Sequence, residues 1–177
     1  RLVPTRWSIT ATDDIVGKHL LESLREYPII NDYEMYTGNY LGNYYTVILF
    51  PEIWSYELFE LYLPGSAWNQ THQPTAATDD EDFYGRKTYA SNTAGGYYAS
   101  RGPLLNILHN RKRQASALVI RCETPEYWAG LGVWVVREAM KKTMSSQPRL
   151  YATKEEALQA AAHHITQALR CDINPIL

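Results

Sequence analysis

The chain has 177 residues, 45% of them hydrophobic, which is enough for one packed core and argues for one large domain or a tight pair of subdomains. It opens on Arg1 rather than Met, as a fragment or processed product would. No apolar run approaches the roughly 18 residues needed to span a membrane, no signal-peptide pattern leads the sequence, and two cysteines cannot build a disulfide scaffold. The net charge of −2 conceals a division. Residues 1–80 carry 4 basic and 11 acidic side chains, residues 81–177 carry 13 and 8, and the interval 86–142 holds 10 basic against 3 acidic. That interval predicts a local positive field able to attract phosphates.

In chain order, the first expected element is a helix capped by Thr12, with Asp13 and Asp14 in its first turn and Val16, Leu20, Leu24 and Tyr27 on one face. Pro28 ends it. Two strands follow, Asp32–Thr37 and Tyr44–Phe50, joined as a hairpin through Gly38-Asn39 and Gly42-Asn43. Trp54–Leu63 reads as a third strand or a short helix, closed by Pro64-Gly65. Residues 66–80 read as a long surface loop between the acidic and basic halves.

Around Gly95–Lys112 the pattern is helical, and Pro103 lies either in the first turn of a helix starting near Gly102 or inside a longer one. Ala115–Cys122 reads as a strand buried on both faces. Val133, Val136, Met140 and Met144 mark another helix, and Tyr151 a short extended piece. Thr153 and Glu156 match a capping box ahead of a helix lined by Leu158, Ala161, Ile165 and Ala168. This order predicts a layered single α/β or α+β domain over residues 1–177, with a mostly antiparallel or mixed central sheet and about four flanking helices.

Several constellations bear on function. Arg6 beside Asp13 and Asp14 suits a metal or phosphate site, or equally helix-start acids paired to an arginine. Phe83-Tyr84-Gly85-Arg86-Lys87-Thr88-Tyr89 mixes bases with rings, as single-stranded nucleic-acid binders do; it equally suits a loop pinned by its aromatics. Gly95-Gly96 permits close backbone approach at a helix N-terminus, for an anion or for tight helix packing, but no phosphate-loop motif is present. Arg111-Lys112-Arg113 is a basic run at a helix C-terminus. Arg121 and Glu123 fall on one face of their strand, where they can pair or reach a site. The five histidines show no metal spacing.

Longer stretches carry a resemblance. They are Val3-Pro4-Thr5-Arg6-Trp7-Ser8-Ile9-Thr10 with Asp13-Asp14, Tyr40-Leu41-Gly42-Asn43, Trp54-Ser55, Tyr84-Gly85-Arg86-Lys87 and Thr93 to Arg101. Arg113-Gln114-Ala115-Ser116, Pro125-Glu126-Tyr127-Trp128 and Leu131 to Glu138 continue the series. In this order the chain resembles the archaeal Nre family of DNA repair proteins. The resemblance implies a cytoplasmic protein of DNA damage repair, with DNA, single-stranded or damaged, and other repair proteins as partners. The family's cysteine-rich N-terminal part and its clamp-binding tail have no counterpart in this sequence, which ends Asp172-Ile173-Asn174-Pro175-Ile176-Leu177, so sliding-clamp binding is not carried over.

Nucleic-acid binding is the leading expectation, through Arg86, Lys87, Tyr97, Arg101, Arg111, Lys112, Arg113 and Arg121. Arg101 and Arg121 are expected to face a phosphate-bearing ligand, closed on the other side by the acidic half. The catalytic alternative is a nuclease in which Asp13 and Asp14, with Glu123, hold Mg²⁺ or Mn²⁺ while Arg6 and Arg101 stabilise phosphoryl charge. A small-molecule nucleotide enzyme using Gly95-Gly96 and Arg101 is the third reading.

Overall fold

A computed structural model describes the backbone of residues 5–93, 95–127 and 132–169, with side chains described from Thr10 onward. Helix α1 spans Thr5–Leu24 and therefore begins earlier than the acid pair suggests. Thr12, Asp13 and Asp14 lie inside it, not at its start. Its packed face keeps Leu20 and Leu24 of the expected stripe but runs through Gly17 and Leu21 rather than Val16, which is exposed. Glycine at position 17 lets α1 approach its neighbour closely, and that contact decides which face turns inward.

Strands β1 (Tyr33–Tyr40) and β2 (Asn43–Phe50) form the expected hairpin, but β1 runs on through Gly38-Asn39. The turn is only Leu41-Gly42, both left-handed at φ 47° and 79°, the conformation a two-residue hairpin turn requires. Two donors of Thr124, its N–H and Oγ1, reach the Gly42 carbonyl at 3.0 and 3.2 Å. A Cβ on Gly42 would strike the backbone of Glu126 and Tyr127. Gly42→Ala is therefore expected to cost about 1–3 kcal/mol from strain and overlap together. Urea unfolding measures it, and an unchanged midpoint would refute the close approach.

Trp54–Leu63 resolves into strand β3 (Ser55–Tyr62), and β4 (Thr75–Glu81) pairs with it antiparallel. Strand β4 corrects the reading of 66–80 as loop throughout. Its inward carboxylates, Asp79 and Glu81, are buried, and their partners lie far along the chain. Helix α2 (Gly95–Arg111) is the longer of the two alternatives, with Pro103 inside it. Then come β5 (Ser116–Glu123), α3 (Val133–Met144), β6 (Arg149–Tyr151) and α4 (Lys154–Leu169). The capping box forms in modified shape: Thr153 Oγ1 accepts the Glu156 N–H at 3.2 Å, while Glu156 reaches back to the Ala152 N–H.

The strands make one six-stranded sheet in the order β4-β3-β5-β2-β1-β6. Only β3 and β5 are parallel, through the α2 crossover. Helices α2 and α3 cover one face, with α1 lying on α2, and their core includes Val47, Leu49, Leu58, Val119, Leu104 and Met140. Helix α4 covers part of the other face through Ala157 and Ala161 on Met35, Ile48 and Phe50. The molecule is thus an α+β layered structure whose sheet draws strands from both the acidic and the basic half. Among the described residues no helix is long and apolar enough to cross a membrane.

Candidate nucleic-acid interface

The inner face of β4 presents Asp79 and Glu81 to the flank of α2. Glu81 accepts three hydrogen bonds: from Trp54 Nε1 at 3.0 Å and Arg101 Nε at 2.8 Å on Oε1, and from Tyr97 Oη at 2.9 Å on Oε2. Burial, then the Glu81 charge, pushes the Tyr97 phenol far above its ordinary range, so it remains a donor. Asp79 accepts from the N–H and Oγ1 of Thr93, just ahead of α2, and pairs with Arg86 at 3.1 Å. Arg86 also donates to the Asp80 carbonyl and lies over the Tyr97 ring. The 86–90 segment is pinned by Tyr98, whose Oη accepts the Ala90 N–H, and Tyr89 stacks on Tyr98 with centroids 5.3 Å apart.

Between α1, α2 and this segment lies a cleft of about 190 Å³ lined by Arg101, Lys18, Arg86, Lys87, Asp14 and the Tyr89–Tyr98 pair, among others. Arg101 forms its floor. Its side chain is 3% exposed and its Nη1 has no hydrogen-bond partner. The nearest carboxylate oxygen, Asp14 Oδ1, is 3.9 Å from Nη1, too far for a hydrogen bond. Gly17 makes room for this guanidinium, because a Cβ there would strike Nη1. A buried donor left without an acceptor is costly, about 1–3 kcal/mol, and this one is open to a water, an anion or a ligand oxygen as its acceptor.

A second buried network lies against the first turn of α2, at Gly96. The parallel register sets Arg121 of β5 beside Glu60 of β3. Arg121 donates to Asn43 Oδ1, to Glu60 Oε1 at 2.6 Å and to Glu123 Oε2 at 3.1 Å, and lies over the Tyr127 ring. Tyr62 donates to the other Glu60 oxygen. A Cβ on Gly96 would collide with the Glu60 carboxylate. Gly95 likewise has no room for a Cβ, which would strike Val133 of α3, so the Gly95-Gly96 pair serves the close packing of the first turn of α2. Burial pushes the Glu123 carboxyl above its ordinary value against the Arg121 charge, with Glu60 adding to the rise.

The sequence candidates thus divide. Asp14, Arg86, Lys87, Tyr97 and Arg101 come together around the cleft. Arg121 and Glu123 do not: Arg121 is 4% exposed and spends its donors on the inner network, so it turns away from any phosphate. Arg111 stands about 15 Å along α2 from Arg101, clamped on Glu34 through both terminal nitrogens and bonded to Tyr36. Lys112 and Arg113 follow at the same far end, Lys112 in a left-handed C-terminal turn at φ 51°. The Arg6 side chain lies outside the described residues.

Asp13 and Asp14 diverge, as neighbours on a helix must. Asp13 pairs with Arg137 of α3 at 2.5 Å and Asp14 with Lys18 at 2.7 Å. No group of three or more His, Cys, Asp or Glu among the described residues could hold a metal ion. Asp13, Asp14 and Glu123 therefore do not fit an Mg²⁺ or Mn²⁺ centre, and no metal-dependent step follows from them. Sequence reasoning missed Lys18, Asp79, Glu81 and Glu60, whose signals exist only across strands and helices.

The architecture and the cleft define an α+β protein built on a mixed six-stranded sheet, with a buried arginine opening toward a cationic, tyrosine-bearing rim. Family models described as "Archaeal Nre, N-terminal" and "Archaeal Nre, C-terminal" match residues 1–69 and 81–174, so the chain belongs to the archaeal Nre family. It is 39% identical to the DNA repair protein NreA of Haloferax volcanii over 171 residues, 96% of this chain and 41% of that protein. It is also 39% identical to DNA repair protein NreA and 38% identical to DNA repair protein NreB of Archaeoglobus fulgidus, each over 93% of this chain and 42% of the relative. The chain thus spans about two fifths of the length of these relatives. No solved structure matches it.

Proposed function

We propose that this chain is a DNA-repair module that binds nucleic acid at the cleft between α1 and α2. The observation that carries the reading is the Arg101 floor, a buried guanidinium with an unmet N–H beneath Lys87, Arg86 and Tyr89. Cations meeting phosphates beside rings that accept bases are the usual means of holding single strands. The names of the relatives supply the repair setting.

The test is fluorescence anisotropy with labelled single-stranded DNA between about 50 and 200 mM salt. Affinity should fall steeply with salt. Lys87→Ala should weaken binding alike for all sequences and lower the salt slope by about 1. Arg113→Ala, at the far end of α2, should change affinity less than twofold. Salt-independent binding, or an Arg113→Ala effect as large as that of Lys87→Ala, would move the interface away from this cleft.

A further inference from the structure

Resting on that reading, we infer that the cleft receives the end of a strand, a terminal phosphomonoester, rather than an internal phosphodiester. Two observations point the same way, and a third sets the charge of the ligand.

The first is the pairing of groups at the floor. Arg101 offers an unmet N–H, and Asp14 Oδ1 stands 3.9 Å from it. A donor and a carboxylate acceptor side by side suit a phosphate presenting both a P–O⁻ and a P–OH. A phosphomonoester has both in its monoanionic form, which prevails below its second ionisation near pH 6. A diester inside a strand has no O–H, so the Asp14 carboxylate would only repel it.

The second is size. The cleft measures about 190 Å³, less than the roughly 300 Å³ where small-molecule pockets usually begin. A terminal phosphate enters on one ester branch. An internal phosphate must bring two sugar-bearing branches down to Arg101, past Asp14 and Tyr98.

The third is charge. Lys18, Arg86, Lys87 and Arg101 face Asp14 and Glu81, and Asp79 grips Arg86 from behind. One positive charge is left over, which a singly charged phosphate of either kind would neutralise, so the choice between ester forms rests on the first two observations. Tyr89, 46% exposed and stacked on Tyr98, stands at the mouth where the terminal base would lie.

The experiment titrates the whole chain at about pH 5.5, where the phosphate monoanion prevails, with one single-stranded sequence in four forms: 5′-phosphorylated, 3′-phosphorylated, hydroxyl at both ends, and circular. A 5′-mononucleotide serves as competitor. One phosphorylated form should bind about tenfold more tightly than the hydroxyl-ended and circular forms, the gain expected of charge-assisted hydrogen bonds. Asp14→Ala should abolish that preference, whereas Lys87→Ala should weaken all four forms together. Equal binding of all four overturns the end-binding inference and leaves strand binding standing. Binding of none overturns both. A mononucleotide that competes as tightly as the phosphorylated strand binds would make the ligand a free nucleotide and overturn the inference as well.

Discussion

Replacing Arg121 by Met should destabilise the fold by about 3–5 kcal/mol, the usual cost of breaking a buried ion pair by removing one partner. Met fills the volume but leaves Glu60, Glu123 and the Asn43 carbonyl without their shared donor. For a chain of this length the loss corresponds to a melting temperature lower by about 6–20 °C. It is also a large part of the 5–15 kcal/mol that a domain typically possesses.

The deficit should depend on pH in a definite direction. Glu123 already has a raised pKa in the fold, from burial first and Glu60 in addition. The stability linked to a raised carboxyl is fully present below the unfolded pKa and lost as pH rises through the folded value. Without the opposing Arg121 charge the rise grows, so the variant recovers part of its deficit as pH falls from 7 toward 5. Glu34 behaves oppositely: burial pushes it up, but the hydrogen bonds from Arg111 and Tyr36 prevail and hold it below its ordinary value. Its contribution is present above the unfolded pKa and lost as pH falls through the folded value. It is common to both proteins, and comparison of their melts at each pH cancels it. A deficit that stays constant or widens on acidification would show that the carboxylates do not carry the cost.

What the sequence disclosed and what it hid follow one physical line. Relations within an element were legible. Alternation put Arg121 and Glu123 on one face, and they pair. Helical spacing identified α2 and α3, and the capping residues marked α4. Relations between elements were not. The β3–β5 register that sets Glu60 beside Arg121 has no local signature. Strand β4 escaped notice because Thr75–Glu81 is small and acidic, a poor strand by propensity. It becomes a strand because Asp79 and Glu81 find Arg86, Thr93 and Arg101 farther along the chain. The stripe on α1 was half legible: Leu20 and Leu24 face the core, but Val16 gives way to Gly17, whose missing Cβ leaves room for Arg101. The cleft was half legible, its arginines and tyrosines from the basic interval, its carboxylates only after folding.

Glu81 joins that hidden half to both stability and binding, and its variants should separate the two. Its side chain is 1% exposed and accepts from Trp54, Tyr97 and Arg101 at once. Glu81→Ala orphans all three donors and leaves Arg101 a buried cation without its partner, at an expected cost of about 3–5 kcal/mol. Glu81→Gln keeps the shape and an acceptor oxygen for Trp54 and Arg101, and the Tyr97 hydroxyl can turn to accept from the new amide. Its cost should be nearer 1–3 kcal/mol. The same change deletes a negative charge beneath the cleft and releases the Arg101 guanidinium from its strongest competitor. Under conditions where Glu81→Gln remains folded, its affinity for single-stranded DNA should therefore rise severalfold while its melting temperature falls. A folded Glu81→Gln protein that binds DNA more weakly than the parent would mean that Glu81 positions Arg101 for the ligand rather than competing for it. Opposite movements of stability and affinity would identify this ion pair as the place where the fold gives up binding strength to hold a cation buried and ready.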